Sequence, residues 1–102
     1  MSLKNPEKKH LRTLGHDLKP IITVAGNGLN DNIMAELERA LTDHELIKVS
    51  IKVADRDARA QLTDTICDQT KAVLVQAIGH TILILRRNPE PNPRLSNLLR
   101  RK

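Results

Sequence analysis

The residue types that could do chemistry in this chain of 102 residues are four histidines, one cysteine, twelve carboxylates and seventeen lysines and arginines. His10, His16, His44 and His80 are scattered, and neither Cys-x-x-Cys nor a Cys/His ligand spacing occurs. Neither a metal site nor a catalytic constellation is therefore predicted. Cys67 falls beside a core position of a predicted helix, where a cysteine more often packs than attacks. The stretch with residue types suited to an anion is residues 19–30, KPIITVAGNGLN. Pro20 holds Lys19 extended, and residues 21–24 form a short apolar strand. Ala25, Gly26, Asn27 and Gly28 then turn the chain sharply, and helical periodicity begins near Ile33. A strand, a glycine turn and a helix start place free backbone N–H groups beside a short loop, which suits a phosphate. It is not a nucleotide-enzyme motif. No Gly-Lys-Ser/Thr follows, and the third glycine of the dinucleotide fingerprint would fall at Asp31. No enzyme, cofactor or small-molecule substrate is expected.

The elements that must hold this loop can be read from caps and periodicity. Residues 4–15 read as a helix with Asn5 as cap, Pro6 in the first turn and Gly15 at the C-terminal end. Leu3, Leu11, Leu14 and Leu18 give it an apolar stripe. Lys4, Lys8 and Arg12 repeat every four residues, with Lys9 adjacent, so its outer face is basic. That face is either an anion-binding surface or an ordinary solvated stripe. Asn30 caps a second helix to about Asp43, with Ile33, Met34, Leu37, Ala40 and Leu41 inward and acids outward. Residues 46–53, LIKVSIKV, predict a strand with Leu46, Val49, Ile51 and Val53 inward, one face toward water and Ile47 out of phase. Asp55 caps a third helix to about Gln69. Arg56 and Arg59 lie in its first turn, where cations oppose the helix dipole. Either an anionic ligand is nearby, or they pair locally with Asp55 and Asp57. Residues 72–78 and 81–85 read as apolar strands covered on both faces and joined at Gly79-His80 by a two-residue turn. Beyond Arg87, Pro89, Pro91 and Pro93 exclude regular structure. The remainder, ending Arg100, Arg101 and Lys102, is a short docking helix or, as its composition favours, a disordered basic arm. The expected organisation is a domain over residues 1–87 and a tail over 88–102.

Composition narrows the ligand. Leu, Ile and Val supply 29 of the residues, enough for a small core, while Phe, Tyr and Trp are absent. Base stacking on Phe, Tyr or Trp rings, the device of RRM sheets and OB-folds, is excluded, which leaves Arg or His planes as substitutes. No run reaches the roughly 20 apolar residues of a membrane helix, and the N-terminus lacks a signal peptide's apolar region. With one unpaired cysteine, a reducing cytoplasmic setting is expected. The net charge of +5 is polarised: residues 29–45 carry −4 and the rest +9. Such a distribution points to a polyanion, most often nucleic acid.

Several stretches together resemble a known family. They are Leu11-Arg12-Thr13-Leu14-Gly15-His16, Leu18-Lys19-Pro20-Ile21, Asn27-Gly28-Leu29, Ala40-Leu41, His44-Glu45-Leu46-Ile47-Lys48-Val49, Asp55-Arg56 and Val75-Gln76-Ala77-Ile78-Gly79. Covering about residues 8–87, they resemble the YhbY-like family of CRM (chloroplast RNA splicing and ribosome maturation) domains. The resemblance implies a compact single α/β domain of order α-β-α-β-α-β-β with a four-stranded mixed sheet. That fold is similar to the C-terminal domain of bacterial translation initiation factor three. It also implies RNA binding through a G-x-x-G loop, and stand-alone bacterial members are associated with precursors of the large ribosomal subunit. Ala25 stands where the first glycine of that loop is expected, and Leu85 where an aromatic is common. Carried over by position, the loop gives Gly26, Asn27 and Gly28, the LKP match gives Lys19, and the Asp-Arg pair gives Arg56. Lys8, Lys9 and Arg12 join them on charge, with only Arg12 inside a matching stretch. The expected partner is RNA, in particular large-subunit ribosomal RNA or its precursor particle, bound by a monomer.

Overall fold

Boundaries between elements fall where the hydrophobic period changes and a cap is available. The computed structural model describes residues 5–25 and 28–98. Helix α1 (Asn5–Gly15) leads to strand β1 (Pro20–Val24), helix α2 (Asp31–His44), strand β2 (Leu46–Ile51) and helix α3 (Arg56–Thr70). A hairpin of β3 (Val73–Ile78) and β4 (Thr81–Leu85) follows. The side chain of Asn30 accepts Ile33 N–H at 2.9 Å and that of Asp55 accepts Ala58 N–H at 3.1 Å, so the caps predicted for α2 and α3 form, whereas Asn5, predicted as the cap of the first helix, is already its first residue.

The four strands pair in the order β1-β2-β4-β3. β1 runs parallel to β2, with α2 as the crossover, and β4 is antiparallel to both β2 and β3. This is the mixed sheet and element order expected. α2 and α3 close one face over a core built from Ile22, Val24, Leu37, Leu41, Ile47, Val49, Ile51, Ile66, Ile82 and Ile84. On the other face α1 packs Leu11 and Leu14 against Leu46, Val75, Leu83 and Leu85. Each large aliphatic side chain so buried stabilises the fold by about 1.5–3 kcal/mol.

The β2 reading needs correction. The strand is central and covered on both sides, not half exposed. Ile47, Val49 and Ile51 share the face under α2 and α3, and the residue out of phase is Leu46, which points to α1. β4 is buried from Ile82 to Leu85, as expected, but β3 is an edge strand that leaves Leu74 and Ile78 exposed. Gly15 is favoured by packing. A Cβ there would lie 2.6 and 2.8 Å from the two Leu83 methyl groups, so any larger residue forces the Leu83 side chain to shift where α1 meets the sheet.

Residues 88–98 are ordered, where composition favoured disorder, and the contacts that seat them are specific. Glu45, 3% exposed, accepts from Ser96 Oγ at 2.6 Å through Oε1 and from Asn88 N at 2.7 Å through Oε2. Asn97 donates its backbone N–H to His44 O at 2.9 Å and its side-chain amide to Leu46 O at 2.6 Å. Leu98 packs into the α1-side core. Residues 99–102, including Arg100, Arg101 and Lys102, lie outside the described residues. Arg86 locks the same end of the sheet. Its guanidinium reaches Glu38 Oε2 at 2.6 Å, Thr70 O at 3.0 Å, Glu38 O at 3.1 Å and Thr42 Oγ1 at 3.0 Å.

Candidate nucleic-acid interface

Topology decides which loops meet. Parallel β1 and β2 both finish at one end of the sheet, with Val24 opposite Ile51, and antiparallel β4 begins there, with Ser50 opposite Thr81. The glycine loop, the β2–α3 connection and the Gly79-His80 turn therefore emerge side by side. Two backbone bonds tie them together: Lys52 N–H to Val24 O at 2.8 Å and Ile51 N–H to His80 O at 2.6 Å. Ligands of open α/β sheets bind at such strand C-terminal ends.

Of the loop residues, Gly26 and Asn27 lie outside the described residues. Gly28 has φ +82°, the left-handed region that favours glycine, and open space around its α-carbon. Its N–H donates to Ala25 O at 2.9 Å, so it closes the loop and does not point at a ligand. Ala25 keeps a negative φ, and alanine at this position therefore carries no backbone penalty. The N–H groups of Asp31 and Asn32, ahead of the first intrahelical bond, remain at the open end of α2. The Asp31 carboxylate in the first turn opposes an anion there.

Arg56, exposed at the start of α3, comes to this same end of the sheet. It forms no ion pair with Asp55 or Asp57 among the described residues. Arg59 differs: its Nη1 donates to Val53 O at 2.8 Å and Ala54 O at 2.9 Å, bracing the β2–α3 connection. That role explains a cation in the first turn without a ligand. Lys52 and His80, both exposed here, were missed by sequence reasoning. The signal was available only in the pairing of β2 with β4, which brings the end of LIKVSIKV beside the hairpin turn.

The remaining candidates stand elsewhere. Lys9 and Arg12 are exposed on α1 and Lys8 is half-buried there, across the sheet from α3. Lys19, exposed, precedes β1 at the end of the sheet away from the glycine loop, and it borders a shallow hollow with His44, Lys48 and Asn97. Gly28 and Arg56 thus lie at the same end of the sheet, Arg56 on the hairpin side, while Lys8, Lys9, Arg12 and Lys19 lie in a second region on the α1 side. Lys8, Lys9, Arg12, Lys19 and Arg56 have no ion pair among the described residues, where Arg86 and Arg87 take up Glu38 and Glu7. Between α3 and the β3–β4 hairpin lies a cleft of about 290 Å³.

Cys67 is half-buried, and burial, with Asp64 adding to it, pushes its thiol from 9.0 up to about 11. It stays protonated at neutral pH, the opposite of an activated nucleophile. No cluster of metal-ligating side chains occurs among the described residues, and no described helix is long and apolar enough to cross a membrane.

A small α/β domain with a glycine loop at one sheet end, and exposed cations there and on α1 that have no ion pair among the described residues, is the class that this geometry defines. The profile of the CRS1 / YhbY (CRM) domain matches residues 3–86, and the chain belongs to that family. It is 51% identical over 100 residues to a Pseudomonas aeruginosa protein named a probable RNA-binding protein, covering 98% of this chain and 96% of the relative. A Haemophilus influenzae protein named an RNA-binding protein is 40% identical over 89 residues, with 87% and 90% covered. The solution structure of a hypothetical Staphylococcus aureus protein, put forward as RNA-binding, superposes with a TM-score of 0.76. It shares 34% identity, over 87% of this chain and 93% of that one.

Proposed function

We propose that this chain is an RNA-binding protein that grips structured RNA by backbone and shape, on large-subunit ribosomal RNA or its precursor particle during ribosome biogenesis. The observation that carries it is the set of five candidate cations with no ion pair among the described residues: Lys8, Lys9 and Arg12 on α1, Lys19 before β1 and Arg56 at the start of α3. Exposed or half-buried cations without a carboxylate partner among the described residues, at a net charge of +5, suit phosphates. The names of its relatives support the RNA assignment, and the ribosomal part rests on the family resemblance. The protein is a binding module and not an enzyme. It acts in the cytoplasm as a monomer. Gly28 closes the loop, Arg56 takes a phosphate at the same end of the sheet, and the α1 cations with Lys19 hold a more distant stretch of backbone.

The test is the salt dependence of binding to a large-subunit ribosomal RNA fragment. Contacts from all five side chains give a slope of log K against log salt of about −4 to −5. A slope implying fewer than about three contacts overturns the reading. In a low-salt sucrose gradient of cell extract, the protein should co-migrate with large-subunit precursors, and the Lys8/Lys9/Arg12/Lys19→Glu variant should not. Wild-type protein staying at the top of the gradient would remove the ribosomal assignment while leaving the salt measurement intact.

A further inference from the structure

We propose that the cleft between α3 and the β3–β4 hairpin receives a single unstacked nucleobase of the bound RNA. The inference rests on the RNA-binding reading above and adds a contact to the base itself. Position is the first argument. Ile51, in the floor of the cleft, pairs directly with Val24, the last residue before the glycine loop. Neighbouring strands lie about 4.8 Å apart, so a nucleotide whose phosphate meets Arg56 or the loop has its base within reach of the cleft.

Size and lining point the same way. At about 290 Å³ the cleft is at the small end of ligand sites, right for one heterocycle and too small for a protein helix. Ile51, Leu74 and Ile82 form an apolar floor, and the small side chains of Ala60 and Ala77 leave the space open. Leu74 is one of the few large apolar side chains exposed in the domain, at 36%, and a base laid over it takes it out of water. Arg56, Asp64 and His80 also line the cleft, the His80 Nε2 lying 3.5 Å from Arg59 Nη1, and they bring an acceptor and donors for a base edge.

Composition explains why a cleft would serve. A chain without Phe, Tyr or Trp cannot sandwich a base between rings. An apolar slot with a planar guanidinium at its mouth shields both faces of a base by other means.

The experiment uses the full chain and two RNA hairpins of equal length, one fully paired and one with a single bulged 2-aminopurine. The bulged hairpin should bind about tenfold tighter, the lower range of a single buried base. Its 2-aminopurine should brighten as it leaves the RNA stack, since the protein has no Phe, Tyr or Trp to quench it. Ala60→Leu and Ala77→Leu, which fill the cleft from two different elements, should each bring the bulged-to-paired ratio close to one. Thermal unfolding of each variant shows that its fold is intact, and either variant suffices if the other fails to fold. Arg56→Gln should weaken both hairpins and the bulged one more, because it removes the guanidinium at the cleft as well as a phosphate contact. Equal affinity for the two hairpins, or a preference unchanged in a folded cleft-filled variant, overturns the base slot alone. Failure to bind either hairpin at low salt overturns the RNA-binding reading, and the slot with it.

Discussion

Replacing Glu45 by alanine tests the joint that holds residues 88–98 to the domain. The carboxylate is 3% exposed and accepts two short hydrogen bonds, from Ser96 Oγ at 2.6 Å and Asn88 N at 2.7 Å. Hydrogen bonds to a charged acceptor contribute about 1.5–3 kcal/mol each. Their joint loss is partly offset, because a buried charge without a cationic partner no longer has to be desolvated. The net loss should be about 2–4 kcal/mol, appearing first as accelerated amide exchange at Asn88 and Asn97. Glu45 also sits at φ 63°, an unfavourable conformation for any side chain. Glu45→Gly therefore loses the same two bonds but regains about 1 kcal/mol of backbone strain, and it should be the milder variant. A double-mutant cycle with Ser96→Ala, read by thermal or denaturant unfolding, isolates the contact and should give a coupling of about 1–3 kcal/mol. If the two losses add within about 0.5 kcal/mol, or if exchange at Asn97 is unchanged in Glu45→Ala, the carboxylate does not hold the tail and the reasoning fails.

Other outcomes follow from single positions. Gly15→Ala should destabilise by about 1–2 kcal/mol, since overpacking against Leu83 outweighs the better helix propensity. The penalty should vanish in a Leu83→Ala background, and thermal unfolding of the four proteins measures it. Gly28→Ala should lose about 1–2 kcal/mol from its positive φ alone, because nothing lies within 4 Å of the added methyl. Gly28→Asn should recover part of that loss, as asparagine tolerates the left-handed region. Cys67 should react with iodoacetamide at pH 8 about 100-fold more slowly than an unperturbed thiol, following its thiolate fraction. Because its folded pKa is raised from 9.0 to about 11, its contribution to stability is intact below pH 9 and lost as pH rises through 11. Unfolding measured in alkaline buffers, against Cys67→Ala, reads this directly.

What the sequence disclosed was mostly local. Asn30 and Asp55 are caps whose partners lie three residues away, and Gly79-His80 is a turn between two apolar runs, so all three were legible. The burial of β2 was not. A central strand covered on both faces hides its period, and Leu46 was assigned to the wrong side for that reason. β3 looked as apolar as β4, yet its exposure follows from its edge position, which only the pairing order decides. The docking of residues 88–98 was illegible because its partners, His44, Glu45 and Leu46, lie about fifty residues upstream. At the candidate site the residue types were readable, but their grouping was not. The parallel crossover from β1 to β2 brings the start of α3, with Arg56, to the same end of the sheet as the glycine loop and leaves the α1 cations on the far face.

Both flanks of the sheet are irregular. β1 slips register between Pro20 and Ile22, and β3 slips between Leu74 and Gln76. A bulge bends the strand that carries it, and these two strands are the ones whose outer hydrogen-bonding groups have no neighbour in the sheet. A second copy approaching edge to edge finds a short, kinked ladder with no continuous register to copy. The exposed Ile21, Leu74 and Ile78 on these strands are therefore tolerated without inviting chain-to-chain strand addition, even where many copies crowd onto one long polyanion.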